Sequence, residues 1–187
     1  MSEPFEFLDL LESEERNYPR QLLDKVILGL KKGQWTISTA ESLTGGLLSE
    51  ALTRLPGASD YFVGGIISYS PRIKIEGVGV DPSIIRKFGV VSAPVAQAMA
   101  LGIAKRFKTR IGLSTTGVAG PDAHSGMPVG TVFVGLALDG VCKTNRLGLR
   151  GDRQDIRQAA VLQALRLVWE NISQPMAGGK SFEEEIL

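Results

Sequence analysis

Ser42 lies in the run Thr39-Ala40-Glu41-Ser42-Leu43-Thr44-Gly45-Gly46, which follows a short apolar β-like segment (Trp35 to Ser38) and opens a helical pattern in Leu47, Leu48, Ala51 and Leu52. A hydroxyl residue at such a junction, followed by two glycines, puts Ser42 and Thr44 beside free backbone N–H groups at a helix N-terminus. That setting favours anions and stabilises charge building on an attacked carbonyl. An N-cap is the commoner use of such a residue, so a nucleophile needs a basic partner elsewhere in the chain.

Two later segments offer one. Ile66-Ile67-Ser68-Tyr69-Ser70-Pro71-Arg72-Ile73-Lys74 reads as a buried strand ending in a polar turn, with Tyr69 at the strand's end and Lys74 five residues on. Ser114-Thr115-Thr116-Gly117-Val118-Ala119-Gly120-Pro121 ends another strand in a loop rich in glycine and hydroxyls. Strand ends in an α/β sheet are where sites assemble, because the loops there leave backbone and side-chain groups free. Singly, Tyr69 is a strand aromatic and Lys74 a solvated charge. With Ser42 they make a histidine-free acyl-transfer set, in which a desolvated lysine or a lysine-polarised tyrosine takes the serine proton. Glu41 reads as a residue that orients the turn by accepting backbone hydrogen bonds. A Ser/His triad would have to use His124, the only histidine, in the loop after the second strand; the lysine set ranks above it.

The elements that must position these residues alternate. A helical pattern runs from Pro19 through Leu22, Leu23, Val26, Ile27 and Leu30 to Gly33. Strands are expected from Trp35 to Ser38, Gly64 to Ser70 and Ile111 to Thr116. Asp81-Pro82 marks a short helix. Ser92-Ala93-Pro94 starts a longer one, whose stripe of Val95, Ala98, Met99, Gly102, Ile103 and Phe107 contains small residues suited to close packing on a sheet. Thr131 to Leu138 and Val141 to Leu149 flank Asp139-Gly140, a hairpin with a type I′ turn. Asp152 caps a final helix. The expected fold class is α/β, a single three-layer α/β/α domain with a mixed β-sheet over 18–173. An acidic extension over 1–17, a loose amphipathic helix or an unstructured leader, precedes it, and a mobile tail over 174–187 follows.

At this level the chain resembles the CinA C-terminal-domain family. The blocks that carry the resemblance are the Ser42 run, Pro56-Gly57-Ala58-Ser59, Tyr69 to Lys74, Gly89-Val90-Val91-Ser92, Thr116 to Pro121, Pro128-Val129-Gly130-Thr131-Val132 and Gly151-Asp152-Arg153. They come in the family's order through most of residues 20–172. The family includes nicotinamide-nucleotide amidohydrolases, which convert nicotinamide mononucleotide to nicotinic acid mononucleotide and ammonia. The resemblance implies Ser42 as nucleophile, Tyr69 and Lys74 as acid–base partners, Thr116 as a substrate-contacting hydroxyl and Arg153 as the arginine facing the phosphate; Thr44, Gly45 and Gly46 of the Ser42 turn and Gly117 of the strand-end loop complete the expected substrate-binding set. The resemblance implies no metal and no cofactor. Alternatives are a non-catalytic nucleotide-binding or regulatory paralogue, and a Ser/Lys amidase for another small amide. Leu43 replaces the family's usual cysteine and Met127 a common lysine, and the loop before Met127 is shorter and less glycine-rich than usual. The separate N-terminal domain of full-length CinA proteins is expected to be missing.

Composition agrees with such a domain. The 187 residues are 43% hydrophobic and 22% charged, with a net charge of +1, ordinary for a globular protein. Without a Lys/Arg block, a nucleic-acid partner is not expected. No apolar stretch approaches the ~20 residues that span a bilayer, so no membrane partner is expected, and a cytoplasmic location is. One cysteine, Cys142, leaves no internal disulfide and no cysteine-cluster metal site. The expected partner is the small-molecule substrate, and a homo-oligomer stays open.

Overall fold

The structure is a computed structural model, which describes residues 18–124 and 126–173. The extension over 1–17 and the tail over 174–187 lie outside the described residues. The elements run α1 (Tyr18–Lys32), β1 (Ile37–Glu41), α2 (Leu47–Thr53), a 3-10 turn (Ala58–Asp60), β2 (Phe62–Ile67), α3 (Pro71–Glu76), α4 (Pro82–Phe88), α5 (Ala93–Phe107), β3 (Ile111–Gly117), β4 (Thr131–Leu138), β5 (Val141–Gly148) and α6 (Arg153–Ile172). They form one mixed sheet in the order β2-β1-β3-β4-β5. β1 pairs in parallel with β2 and β3, whereas β3–β4 and β4–β5 are antiparallel. The expected three-layer α/β/α arrangement is what is found.

Burial explains the order. β1 is buried throughout and β4 nearly so, as central strands covered on both faces must be. β2 and β5 alternate between partly buried and exposed positions, the pattern of edge strands. One face carries α1, α2 and α6 over a large apolar core that includes Leu30, Ile37, Leu52, Leu113, Ile156 and Val168. The other carries α5, with α4 beside it, over Val95, Met99 and Ile103. The small residues of α5 permit very close approach: a Cβ on Gly112 of β3 would lie 2.0 Å from the Ala100 carbonyl oxygen.

Several expected features form as read. Asp139 and Gly140 both take positive φ, 47° and 86°, as a type I′ hairpin turn requires. Ser92 and Asp152 cap α5 and α6, the latter in a reciprocal capping box with Asp155. Some elements differ from the sequence reading, among them β2, which runs Phe62–Ile67 where Gly64 to Ser70 was expected. β1 continues three residues beyond Ser38 to Glu41, because its polar side chains find partners in the interior. Ser38 bonds Thr109 at 2.7 Å and Thr39 bonds Ser49 at 2.8 Å, which removes the cost of burying them. The polar turn after Ile67 is a short helix, α3, with Ser70 as N-cap and Pro71 in its first turn.

Candidate active site

In β1, Glu41 registers with Ile67 of β2 and with Thr115 of β3, so β1 and β2 end level while β3 runs two residues further. Ser42 is the residue after β1, Ser68 the residue after β2, and Thr116 lies next to the end of β3. The backbone ties these ends together: the Ser42 N–H donates to Thr115 O at 3.0 Å, and the Ser68 N–H to Glu41 O at 2.7 Å. From β1 the chain passes to β2 by α2 on one face, then returns to β3 by α3–α5 on the other. The crevice therefore opens where crossovers diverge, the usual place for a site in an open α/β sheet. A cleft of about 500 Å³ lies there, lined by Ser42, Leu43, Tyr69, Lys74, Thr116, Gly117, Arg153 and the 118–124 loop among others.

The turn into α3 brings Lys74 back beneath this edge. Its ammonium donates to Ser42 Oγ at 3.0 Å and to Ser68 O at 2.6 Å. The side chain is only 2% exposed. No carboxylate among the described residues pairs with it, and burial lowers its pKa from the usual 10.5 to about 8. Desolvation penalises the charged form, so a sizeable neutral fraction exists near neutral pH.

Tyr69 stands elsewhere. It is 59% exposed, and its hydroxyl accepts a hydrogen bond from Arg153 Nη2 at 3.0 Å rather than reaching Ser42 or Lys74. Arg153, the first residue of α6, also donates to Gly120 O at 2.6 Å. Both acceptors are neutral, and among the described residues no carboxylate pairs with the guanidinium at the cleft mouth. Thr116 lines the cleft, but its hydroxyl is engaged with Val90 O at 2.9 Å. His124 also lines the cleft, and its backbone bonds with Met127 across the loop. Met127 is half-buried against the small apolar cluster of Val91, Ala96, Val118 and Phe133.

Thr44, Gly45 and Gly46 are not brought to the cleft. Thr44 is buried with its hydroxyl 2.8 Å from that of Thr115. Gly46 is the N-cap of α2, which starts only at Leu47. The N-terminus of α2 is already occupied: the buried Glu41 carboxylate accepts the N–H groups of Gly46, Leu48 and Ser49 at 2.9, 3.1 and 2.8 Å, and the Ser49 hydroxyl as well. An anion site there is thus filled by the chain itself, and Glu41 fixes the turn as its sequence position indicated.

One participant was missed. Arg157 of α6 donates from Nε to Leu43 O at 3.0 Å and from Nη2 to Thr44 O at 2.9 Å, clasping the Ser42 turn from behind. Its signal was available, since it lies one helical turn beyond Arg153 and shares that residue's face. Among the described residues, no group of three or more His, Cys, Asp or Glu is placed to hold a metal ion. No helix among them is long and apolar enough to cross a membrane.

The fold and site define an α/β protein that carries a buried lysine on a strand-end serine at the point where its crossovers diverge. The chain belongs to the CinA family: the family model described as the CinA C-terminal domain matches residues 19–172. A "CinA-like protein" of Frankia casuarinae is 46% identical over 147 residues, covering 78% of this chain and 34% of that protein. The chain spans about a third of the length of the curated relatives it matches. Among solved structures, a competence damage-inducible protein A from Klebsiella pneumoniae superposes with a TM-score of 0.82 at 28% identity, covering 84% of this chain and 99% of that one. The competence/damage inducible protein CihA from Agrobacterium tumefaciens gives 0.78 at 31% identity, covering 83% and 96%.

Proposed function

We propose that this protein hydrolyses the carboxamide of nicotinamide mononucleotide to nicotinic acid mononucleotide and ammonia. The observation that carries the reading is the 3.0 Å contact between Lys74 Nζ and Ser42 Oγ, made by a lysine buried enough to be neutral part of the time. In its neutral form Lys74 accepts the Ser42 proton as Oγ attacks the carboxamide carbon. The tetrahedral intermediate collapses when the Lys74 ammonium protonates the leaving nitrogen, and ammonia departs. Water, deprotonated by the again neutral Lys74, then attacks the acyl ester, and the ammonium returns the proton to Ser42. The direct Lys74–Ser42 contact favours Lys74 over Tyr69 as the base. The chemistry as written uses no metal or cofactor.

The Arg153 guanidinium, paired with no carboxylate among the described residues, supports a phosphate at the cleft mouth, since a charge-assisted contact to an anion is stronger than one to a neutral acceptor. The test is ammonia release from nicotinamide mononucleotide, set against nicotinamide riboside and the dinucleotide, with Ser42→Ala as control. Turnover of the mononucleotide that is lost in Ser42→Ala agrees with the reading. No release from any of the three by the parent protein sinks it and leaves a binding role or a different amide.

A further inference from the structure

The Ser42 turn is held from two sides, and only one side is the cleft. Arg157 is not among the residues that line the cleft, yet two of its nitrogens reach the carbonyl oxygens of Leu43 and Thr44, 114 and 113 residues away in sequence. Its third nitrogen donates to Gln154 Oε1 at 3.1 Å. No carboxylate among the described residues pairs with it, so its full charge bears on these peptide groups.

In a trans peptide the C=O and N–H of one plane point opposite ways. The contact to Leu43 O therefore turns the Thr44 N–H away from Arg157. The contact to Thr44 O fixes the next plane, whose Gly45 N–H donates back to Ser42 O at 3.2 Å. That bond in turn fixes the plane between Ser42 and Leu43, and with it the Leu43 N–H. Among the described residues the N–H groups of Leu43 and Thr44 have no acceptor. Every other amide of the run from Ser42 to Gly46 has one: Thr115 O, Ser42 O and the Glu41 carboxylate.

We infer that Arg157 is a positioning residue, which locks the three peptide planes after Ser42 so that the N–H of Leu43, a residue that lines the cleft, stands ready for the oxyanion formed when Ser42 attacks. The inference rests on the proposed nucleophilic role of Ser42 but not on the identity of the substrate. Donors fixed before the reaction cost no reorganisation during it, which is why such groups act on kcat.

The test compares parent, Arg157→Ala and Arg157→Lys by two readouts. The first is ammonia release from nicotinamide mononucleotide. The second is affinity for pyridine-3-boronic acid, which forms a tetrahedral adduct on an activated serine whatever the natural substrate. Arg157→Ala is expected to lower kcat about 100-fold with KM nearly unchanged, the effect of losing one oxyanion donor. It should weaken the boronate by a similar factor, and guanidinium ion at millimolar concentration should restore part of both. Arg157→Lys, which keeps the charge but not the fork, should fall between the two and carries the comparison if the alanine variant does not fold. Unchanged kcat and boronate affinity in a folded variant overturn the inference, as does a loss confined to KM or one that guanidinium fails to relieve. If the parent releases no ammonia from the mononucleotide but binds boronate at Ser42 with the expected Arg157 dependence, the substrate reading fails and this inference stands.

Discussion

Lys74 couples stability to pH through its burial. Its folded pKa of about 8 lies below the 10.5 of a solvated lysine, so between these values the unfolded chain holds a proton that the folded one has lost. Stability therefore rises with pH across that window, and below about pH 8 the whole penalty is present. Two and a half pH units correspond to about 3 kcal/mol as an upper figure, since the bonds to Ser42 and Ser68 are lost with the side chain. Lys74→Met is accordingly expected to abolish turnover while raising Tm at pH 7, and the gain should vanish above pH 10.5. A Tm that falls at pH 7 would refute the burial cost. In the parent, kcat/KM should climb about tenfold per pH unit below pH 8 and level off above it, because only the neutral amine accepts the serine proton. Under the proposed reading, Arg153 and the Tyr69 hydroxyl bonded to it face the phosphate end of the substrate. Arg153→Ala should raise KM for the mononucleotide with kcat little changed, since a contact to a non-reacting group stabilises ground and transition states alike. Tyr69→Phe, which removes a hydroxyl bonded to Arg153 rather than to Ser42, should likewise move KM more than kcat. A collapse of kcat in that variant would return Tyr69 to the proton path.

The first turn of α2 depends on one side chain from the preceding strand. Glu41 is fully buried and serves three backbone N–H groups and one hydroxyl. Glu41→Gln substitutes an amide that must point donors at donors on one side, and leaving buried hydrogen-bonding groups unmet costs about 1–3 kcal/mol each. Its denaturation midpoint should drop by an amount in that range or above, and retention of the parent midpoint would mean that α2 is capped from elsewhere. This element also shows what was legible in the chain. The junction of strand, serine and helix was visible in the residue types of 39–48. The four-residue turn between Ser42 and α2 was not, because Gly45-Gly46 reads equally as a helix start and a loop, and only the reach of Glu41 across the turn decides between them. Ser70-Pro71 was legible as a helix start, but it was masked by the apolar run of β2 before it. Residue types at two strand ends put Ser42 and Lys74 forward together; their 3.0 Å contact and the burial of Lys74 appear only in the fold.

At the scale of the molecule, the cleft is a space between two helical layers whose separation the sheet sets. The alternation of elements and the hairpin were readable from period and turn chemistry, whereas the order β2-β1-β3-β4-β5 depends on which faces are buried together, which no local pattern records. The small residues along α5 did announce close packing. Their consequence is that α5 rests directly on β3 and β4, where Cβ atoms on Gly112 and Gly135 would lie 2.0 and 2.6 Å from the carbonyl oxygens of Ala100 and Ala96. Val90 and Val91, in the segment leading to the Ser92 cap of α5, line the cleft, and Val90 O receives the Thr116 hydroxyl. Gly112→Ala should therefore act at two places at once. A backbone oxygen cannot swing aside as a side chain does, so α5 must lift from the sheet, at a cost of about 1–3 kcal/mol or more for an overpacked core. The wall at Val90 and Val91 should move with the helix and raise KM. Gly148→Ala on β5, with nothing within 4 Å of the added methyl, should alter stability by less than about 0.5 kcal/mol and leave KM untouched. Denaturant midpoints and KM for both variants decide the matter: a Gly112→Ala protein as stable as Gly148→Ala would mean that α5 yields freely, and a stability loss with unchanged KM would mean that the cleft wall is held by the Thr116–Val90 bond instead of by the helix.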